Sequence, residues 1–149
     1  MIKVIGIGNP LLGDDGFGLA VLDKLEKEKV DGVDFIKLPT PSPWQLYEVF
    51  REGDYFIVVD ALYDGDMGKV ETFPISYLRS YQSKLKSLHD VSLAQVIDLL
   101  SLYDIDIEGI VVGTKVKDVS PRVGLTDELA NLINPAIEKI FQILNHMRK

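Results

Sequence analysis

Four side chains carry the chemistry this sequence offers: Asp14, Asp15, Asp60 and His89. Asp14 and Asp15 are neighbours inside a glycine-rich stretch, Asp60 ends the apolar run Phe56–Val59, and His89 precedes a leucine-rich segment. Two carboxylates and an imidazole brought to one place make an open site for a first-row divalent metal, with positions left for water or substrate. Other hydrolytic chemistries lack their parts. The chain has no cysteine, which removes a thiol nucleophile, disulfides and Cys-type zinc sites. It has neither a Gly-x-Ser-x-Gly elbow nor a His-Glu-x-x-His helix. Each residue also has a plainer role open to it. Asp14 and Asp15 can cap a helix, and for Asp14 that role takes precedence over a ligand role. Asp60 can accept backbone N–H groups of the following turn, and His89 can be a surface histidine. The remaining histidine, His146, lies three residues from the C-terminus, where a solvated or helix-end role suits it.

The elements that must position these groups begin at the first residue. Ile2–Ile7 is apolar and β-branched and reads as a buried strand. Gly6, Gly8, Gly13, Gly16 and Gly18 follow around Asn9-Pro10, then a helix over about 17–29. A strand, glycine loop and helix often cradle a phosphate. Here Leu11 stands where the third glycine of G-x-G-x-x-G belongs, and no Gly-Lys-Ser/Thr follows. Asp14 and Asp15 also place negative charge where the phosphate would lie, so the loop suits a cation better than an anion.

Val33–Leu38 reads as the second strand and Tyr55–Val59 as the third, ending at Asp60. Between them, three prolines in Pro39-Thr40-Pro41-Ser42-Pro43 impose a stiff bend. Ser42 then caps a helix with Pro43 at its first position. Trp44, Tyr47 and Phe50 recur at helical spacing, and core packing is the reading adopted for Trp44. Right-handed crossovers lay strands one to three parallel. The link to Lys69–Phe73 is too short for a crossover helix, which makes strand four antiparallel. Tyr77–Tyr81 reads as a short helix and Ser83–Ser87 as an exposed loop. Val91–Tyr103 is an amphipathic helix and Ile107–Val112 a fifth, central strand. Lys115–Gly124 is a loop, and Thr126 caps a last helix that Pro135 splits into 127–133 and 135–147. The expectation is a three-layer α/β/α fold with a mostly parallel five-stranded twisted sheet, one strand antiparallel. In such sheets ligands gather at the C-terminal strand ends, where Asp14, Asp15 and Asp60 arrive and where the loop carrying His89 can reach.

Composition narrows the partners. A net charge of −7 argues against nucleic acid. No apolar run is long enough to span a bilayer, and Met1-Ile2-Lys3-Val4 already reads as strand rather than signal peptide. The cytoplasm is therefore the expected compartment.

The stretch Gly6-Ile7-Gly8-Asn9-Pro10-Leu11-Leu12-Gly13-Asp14-Asp15-Gly16-Phe17-Gly18 resembles the signature of the [NiFe] hydrogenase maturation proteases. Peptidyl-tRNA hydrolases share its Gly-x-Gly-Asn-Pro opening, but their Arg-His-Asn stretch is absent here. The resemblance extends to Val59-Asp60-Ala61, to Leu88-His89-Asp90 before a leucine-rich helix, and to Gly124-Leu125-Thr126 before the final one. It implies that residues 1–149 form one maturation-protease-like domain. It implies an aspartic-type endopeptidase that trims the C-terminal extension from the nickel-loaded hydrogenase large-subunit precursor and so activates it. The ligand positions of the family fall on Asp15, Asp60 and His89, which would act both as metal ligands and as the catalytic set. The nickel is expected to come with the substrate rather than to be held tightly by the free enzyme. The same resemblance allows an alternative, a non-catalytic nickel-sensing or hydrogenase-docking protein using the same three ligands. One departure is local: the glycine pair that often follows strand two in the family is replaced by Pro39–Pro43, a difference that bears on target choice.

Overall fold

The computed structural model describes residues 1–78 and 88–148, with backbone only for 88–92. Its frame is a five-stranded sheet in the order β2-β1-β3-β5-β4. The strands are β1 (Ile2–Gly8), β2 (Val33–Pro39), β3 (Tyr55–Leu62), β4 (Val70–Pro74) and β5 (Glu108–Lys115). β1, β2, β3 and β5 run parallel, and β4 pairs antiparallel along the outer edge of β5. The short β3–β4 link does force the reversal expected of it, and Pro74 ends the edge strand, where its missing N–H is harmless.

Side-chain alternation splits the core between the two faces of the sheet. Val4, Ile57, Val59 and Ala61 pack with α1 (Phe17–Leu25) and the C-terminal helix, here α5 (Ile133–Met147). Ile5, Ile7, Phe56 and Val58 pack with α2 (Pro43–Val49) and α3 (Leu88–Leu102). A short α4 (Asp127–Ala130) precedes α5. α1 and α2 therefore lie on opposite faces, and the chain leaves β1 and β3 in opposite directions across the sheet. The crevice between those two strands is the topological switch point at which doubly wound sheets bind ligands.

Several local expectations are met and others shift. Ser42 caps α2 in a capping box: its hydroxyl accepts from the Gln45 N–H, and the Gln45 side chain accepts from the Ser42 N–H at 2.8 Å. Thr126 caps α4. α1 stops at Leu25 rather than 29, because Glu26-Lys27-Glu28-Lys29 has no apolar residue to bury and finishes as turns. Pro135 neither kinks nor restarts a helix. It occupies the first turn of α5, where its missing N–H has no partner to lose. Trp44 is not core but 76% exposed. α2 has barely two turns, and its inward stripe is Leu46 with Phe50 just beyond its end, leaving Trp44 and Tyr47 on the outer side. A turn of 3-10 helix covers Ile75–Tyr77. The rest of the short helix expected to Tyr81, and the loop Ser83–Ser87, lie outside the described residues.

Candidate active site

Asp15 reaches the crevice because β1 turns sharply out of the sheet. Gly8 makes the turn possible: a Cβ there would lie 2.1 Å from the Asp15 carbonyl oxygen. Gly18 does the same for α1, since its Cβ would fall 2.2 Å from the Val59 carbonyl and 2.6 Å from that of Ile7. The helix thus lies directly against β1 and β3. Gly13–Gly16 forms a single 3-10 turn, which touches β3.

The two adjacent aspartates do different things. Asp14 is fully buried and faces the loop after β5. Its Oδ2 accepts the N–H groups of Lys117 and Asp118 at 2.9 and 3.0 Å. Its Oδ1 accepts the Thr126 N–H at 2.7 Å, and the Thr126 hydroxyl lies 2.9–3.0 Å from both oxygens. Asp14 therefore does not cap α1; both of its oxygens are taken by the loop after β5. No side chain caps the 3-10 turn or α1. Asp14 clamps the 117–126 loop to the glycine turn, and the Asp14 N–H to Asp118 O bond at 2.9 Å closes the same junction.

Asp15 is only 1% exposed, and it turns the other way. Its Oδ2 accepts the Asn9 N–H at 2.9 Å and its Oδ1 the Tyr63 hydroxyl at 2.9 Å. Asn9 belongs to the turn that carries Asp15, and Tyr63 follows β3 directly. The carboxylate is thus held between the two strands that define the crevice. Sequence reasoning missed both partners. Nothing about a tyrosine three residues past Asp60 marks it as a hydrogen-bond donor to residue 15.

Asp60 is 3% exposed. The β1–β3 ladder ends at the pair Gly6–Val59, so Asp60 is the first β3 residue beyond it, where the crevice opens. β3 itself runs on to Leu62 through its pairing with β5, two residues past the point where the sequence suggested its end. The Asp60 Oδ1 accepts the N–H of Ala61 at 2.8 Å. By alternation Asp60 lies on the face of Phe56 and Val58, the face covered by α2 and α3. His89 is the second residue of α3, and its side chain lies outside the described residues. Among the described residues, no three His, Cys, Asp or Glu side chains form a metal-holding group. His146 is exposed in the last turn of α5.

The family model described as HycI, hydrogenase maturation protease, matches residues 20–143. This chain belongs to the hydrogenase maturation protease family. The matched stretch starts beyond the glycine loop, so it stands independently of the motif at Gly6–Gly18. A Methanocaldococcus jannaschii protein provisionally named a hydrogenase maturation protease is 34% identical over 147 residues, with 93% of each chain covered. The coenzyme F420 hydrogenase subunit delta of Methanothermobacter thermautotrophicus is 33% identical over 149 residues, covering 93% of this chain and 91% of that one. Among solved structures, the hydrogenase maturating endopeptidase HybD from Escherichia coli superposes with a TM-score of 0.87 at 24% identity, covering 98% of this chain and 93% of that one. At that identity the likeness is one of fold. As a hydrogenase maturation protease the chain is a peptidase, with an endopeptidase role in hydrogenase maturation. Among the described residues no helix is long and apolar enough to cross a membrane.

Proposed function

We propose that this protease removes the C-terminal extension of the nickel-loaded [NiFe] hydrogenase large-subunit precursor, and that Asp15, Asp60 and His89 read the substrate's nickel. One observation carries the reading: two nearly buried carboxylates, from elements far apart in the chain, flank the switch-point crevice. Carboxylates withdrawn from water in one cleft favour a cation between them. His89 begins the helix that covers the face to which Asp60 belongs, which supports its joining them. Oxygen and imidazole ligands suit nickel(II) in a site left open for the precursor's own ligands.

Nickel is here part of the substrate. Docking it against the crevice makes cleavage conditional on prior metal insertion. Water attack on the scissile amide then needs a base and a stabilised oxyanion. An aspartate of the crevice supplies the base, or the substrate's metal polarises the carbonyl and activates the water. Incubation of the enzyme with nickel-loaded and nickel-free precursor tests the proposal. The expected result is a mass loss in the loaded precursor alone, and equal cleavage of both rejects metal-gated proteolysis.

The relative named as a hydrogenase subunit favours one alternative, a hydrogenase-docking protein that binds nickel without cutting. That reading predicts stable association with the loaded precursor and no change in its mass.

A further inference from the structure

On the side of α2 and α3 the helices leave an open groove of about 560 Å³. Pro43, Trp44, Tyr47, Val96, Leu99 and Tyr103 line it. Trp44 and Tyr103 are 76% and 73% exposed, and the Trp44 and Tyr47 rings meet edge-on with centroids 6.3 Å apart. Large aromatics left in water around a concave apolar floor are the composition of a docking surface rather than of an idle one.

Charge identifies the kind of occupant. A shallow depression sharing Tyr47 continues the groove and is lined by Glu48, Arg51 and Glu52. Exposed Asp104 and Asp106 flank Ile105, which lines both the groove and the depression. Arg51 directs its Nε to the Glu48 carbonyl oxygen. No ion pair among the described residues engages Glu48, Glu52, Asp104 or Asp106. The slot is thus apolar, with a mainly acidic border where it meets the depression. A second copy of this chain fits it badly, because a two-fold contact would set these carboxylates against each other. A segment with apolar side chains next to Lys or Arg fits both features.

Position ties the groove to the candidate site. Its upper end, Pro43-Trp44, follows the bend after β2. In that bend the Thr40 N–H donates to the Gly8 carbonyl at 2.8 Å. Gly8 precedes Asn9, whose N–H holds Asp15. Thr40 adopts φ +43°, a left-handed conformation costly for a β-branched residue. α2 is seven residues long, about 10 Å of helix, enough to seat about three or four residues of extended peptide.

We infer that the α2–α3 groove docks a short apolar segment of the hydrogenase precursor that lies next to basic residues, and holds the precursor while its tail is cut. This inference rests on the proposed proteolytic function. Its test is steady-state processing of full-length nickel-loaded precursor by the wild type, Trp44→Ala/Tyr103→Ala and Glu48→Lys/Glu52→Lys. All four positions are exposed, and thermal unfolding checks that the variants fold. The expected result is a KM raised about ten-fold or more in each, with kcat within about two-fold of wild type. An unchanged KM in the aromatic variant overturns the groove while leaving the proteolytic reading intact. An unchanged KM with a dimer-to-monomer shift in sedimentation overturns it in favour of a self-interface. No processing by the wild type refutes the proteolytic reading itself, and the docking inference with it.

Discussion

Asp14 and Asp15 are covalent neighbours with the same side chain, yet they belong to different parts of the molecule. Asp14 looks into the protein, where the 117–126 loop wraps its two oxygens with backbone N–H groups and the Thr126 hydroxyl. Asp15 looks into the crevice between β1 and β3, held by one N–H of its own turn and one phenol. The first is enclosed by donors that its loop cannot supply elsewhere. The second is steadied from two sides, by the turn after β1 and by the residue that follows β3. Two adjacent carboxylates of the same type and similar burial are thus told apart by where their partners lie.

Substitutions can break the contrast. The largest effect is expected on activity from Asp15→Asn or Asp60→Asn. Either should lower precursor processing about 10³-fold, roughly 4 kcal/mol of barrier, while shifting the unfolding midpoint little. Asp14→Ala should show the opposite balance. It leaves several donors without their acceptor and should cost about 3 kcal/mol of stability in denaturant unfolding. Residual processing per folded molecule should remain well above that of Asp15→Asn. If Asp14→Ala and Asp15→Asn behave alike, the division of labour is wrong.

Gly18→Ala probes the frame that both aspartates depend on. Its Cβ would press on the carbonyls of Val59 and Ile7, and a loss of about 2 kcal/mol is expected in chemical denaturation. Tyr63→Phe sharpens the comparison, since it removes only the hydroxyl on Asp15. A drop of about ten-fold in processing with an unchanged unfolding midpoint marks Tyr63 as a positioning residue. The smallest effect concerns the clamped loop. Hydrogen bonds from the Ser120 hydroxyl and N–H hold the Asp118 carboxyl below its usual range, with Arg122 adding a smaller attraction. Because its folded pKa is depressed, its contribution is complete above the ordinary Asp value of about 3.9 and is lost as pH falls through the lowered one. Melting curves of wild type and Asp118→Asn should differ slightly near neutral pH and converge in acid.

Much of this architecture was legible in the chain. The apolar runs Ile2–Ile7 and Phe56–Val59 announce central strands, and the short link after Leu62 dictates an antiparallel edge. The place of Asp60 on β3 was readable because it follows the apolar run Phe56–Val59 directly. Asp14 was misread because its partners lie more than 100 positions away, at Lys117 and Thr126, and local pattern favours the local explanation of a helix cap. Trp44 was misread for a related reason. Helical spacing groups Trp44, Tyr47 and Phe50 on paper, but a two-turn helix buries only one stripe, and Leu46 with Phe50 fills it. Tyr63 carried no signal at all, since its role arises only once β1 and β3 lie side by side.

The central claim is that this protease contributes ligands to the nickel its substrate carries. X-ray absorption at the nickel edge, recorded on loaded precursor with its cleavage site blocked, alone and in complex with the wild-type enzyme, tests it directly. The account predicts added oxygen and nitrogen scatterers on complex formation, lost again when Asp15, Asp60 or His89 is replaced by Ala. A nickel spectrum that is the same free and bound would contradict it.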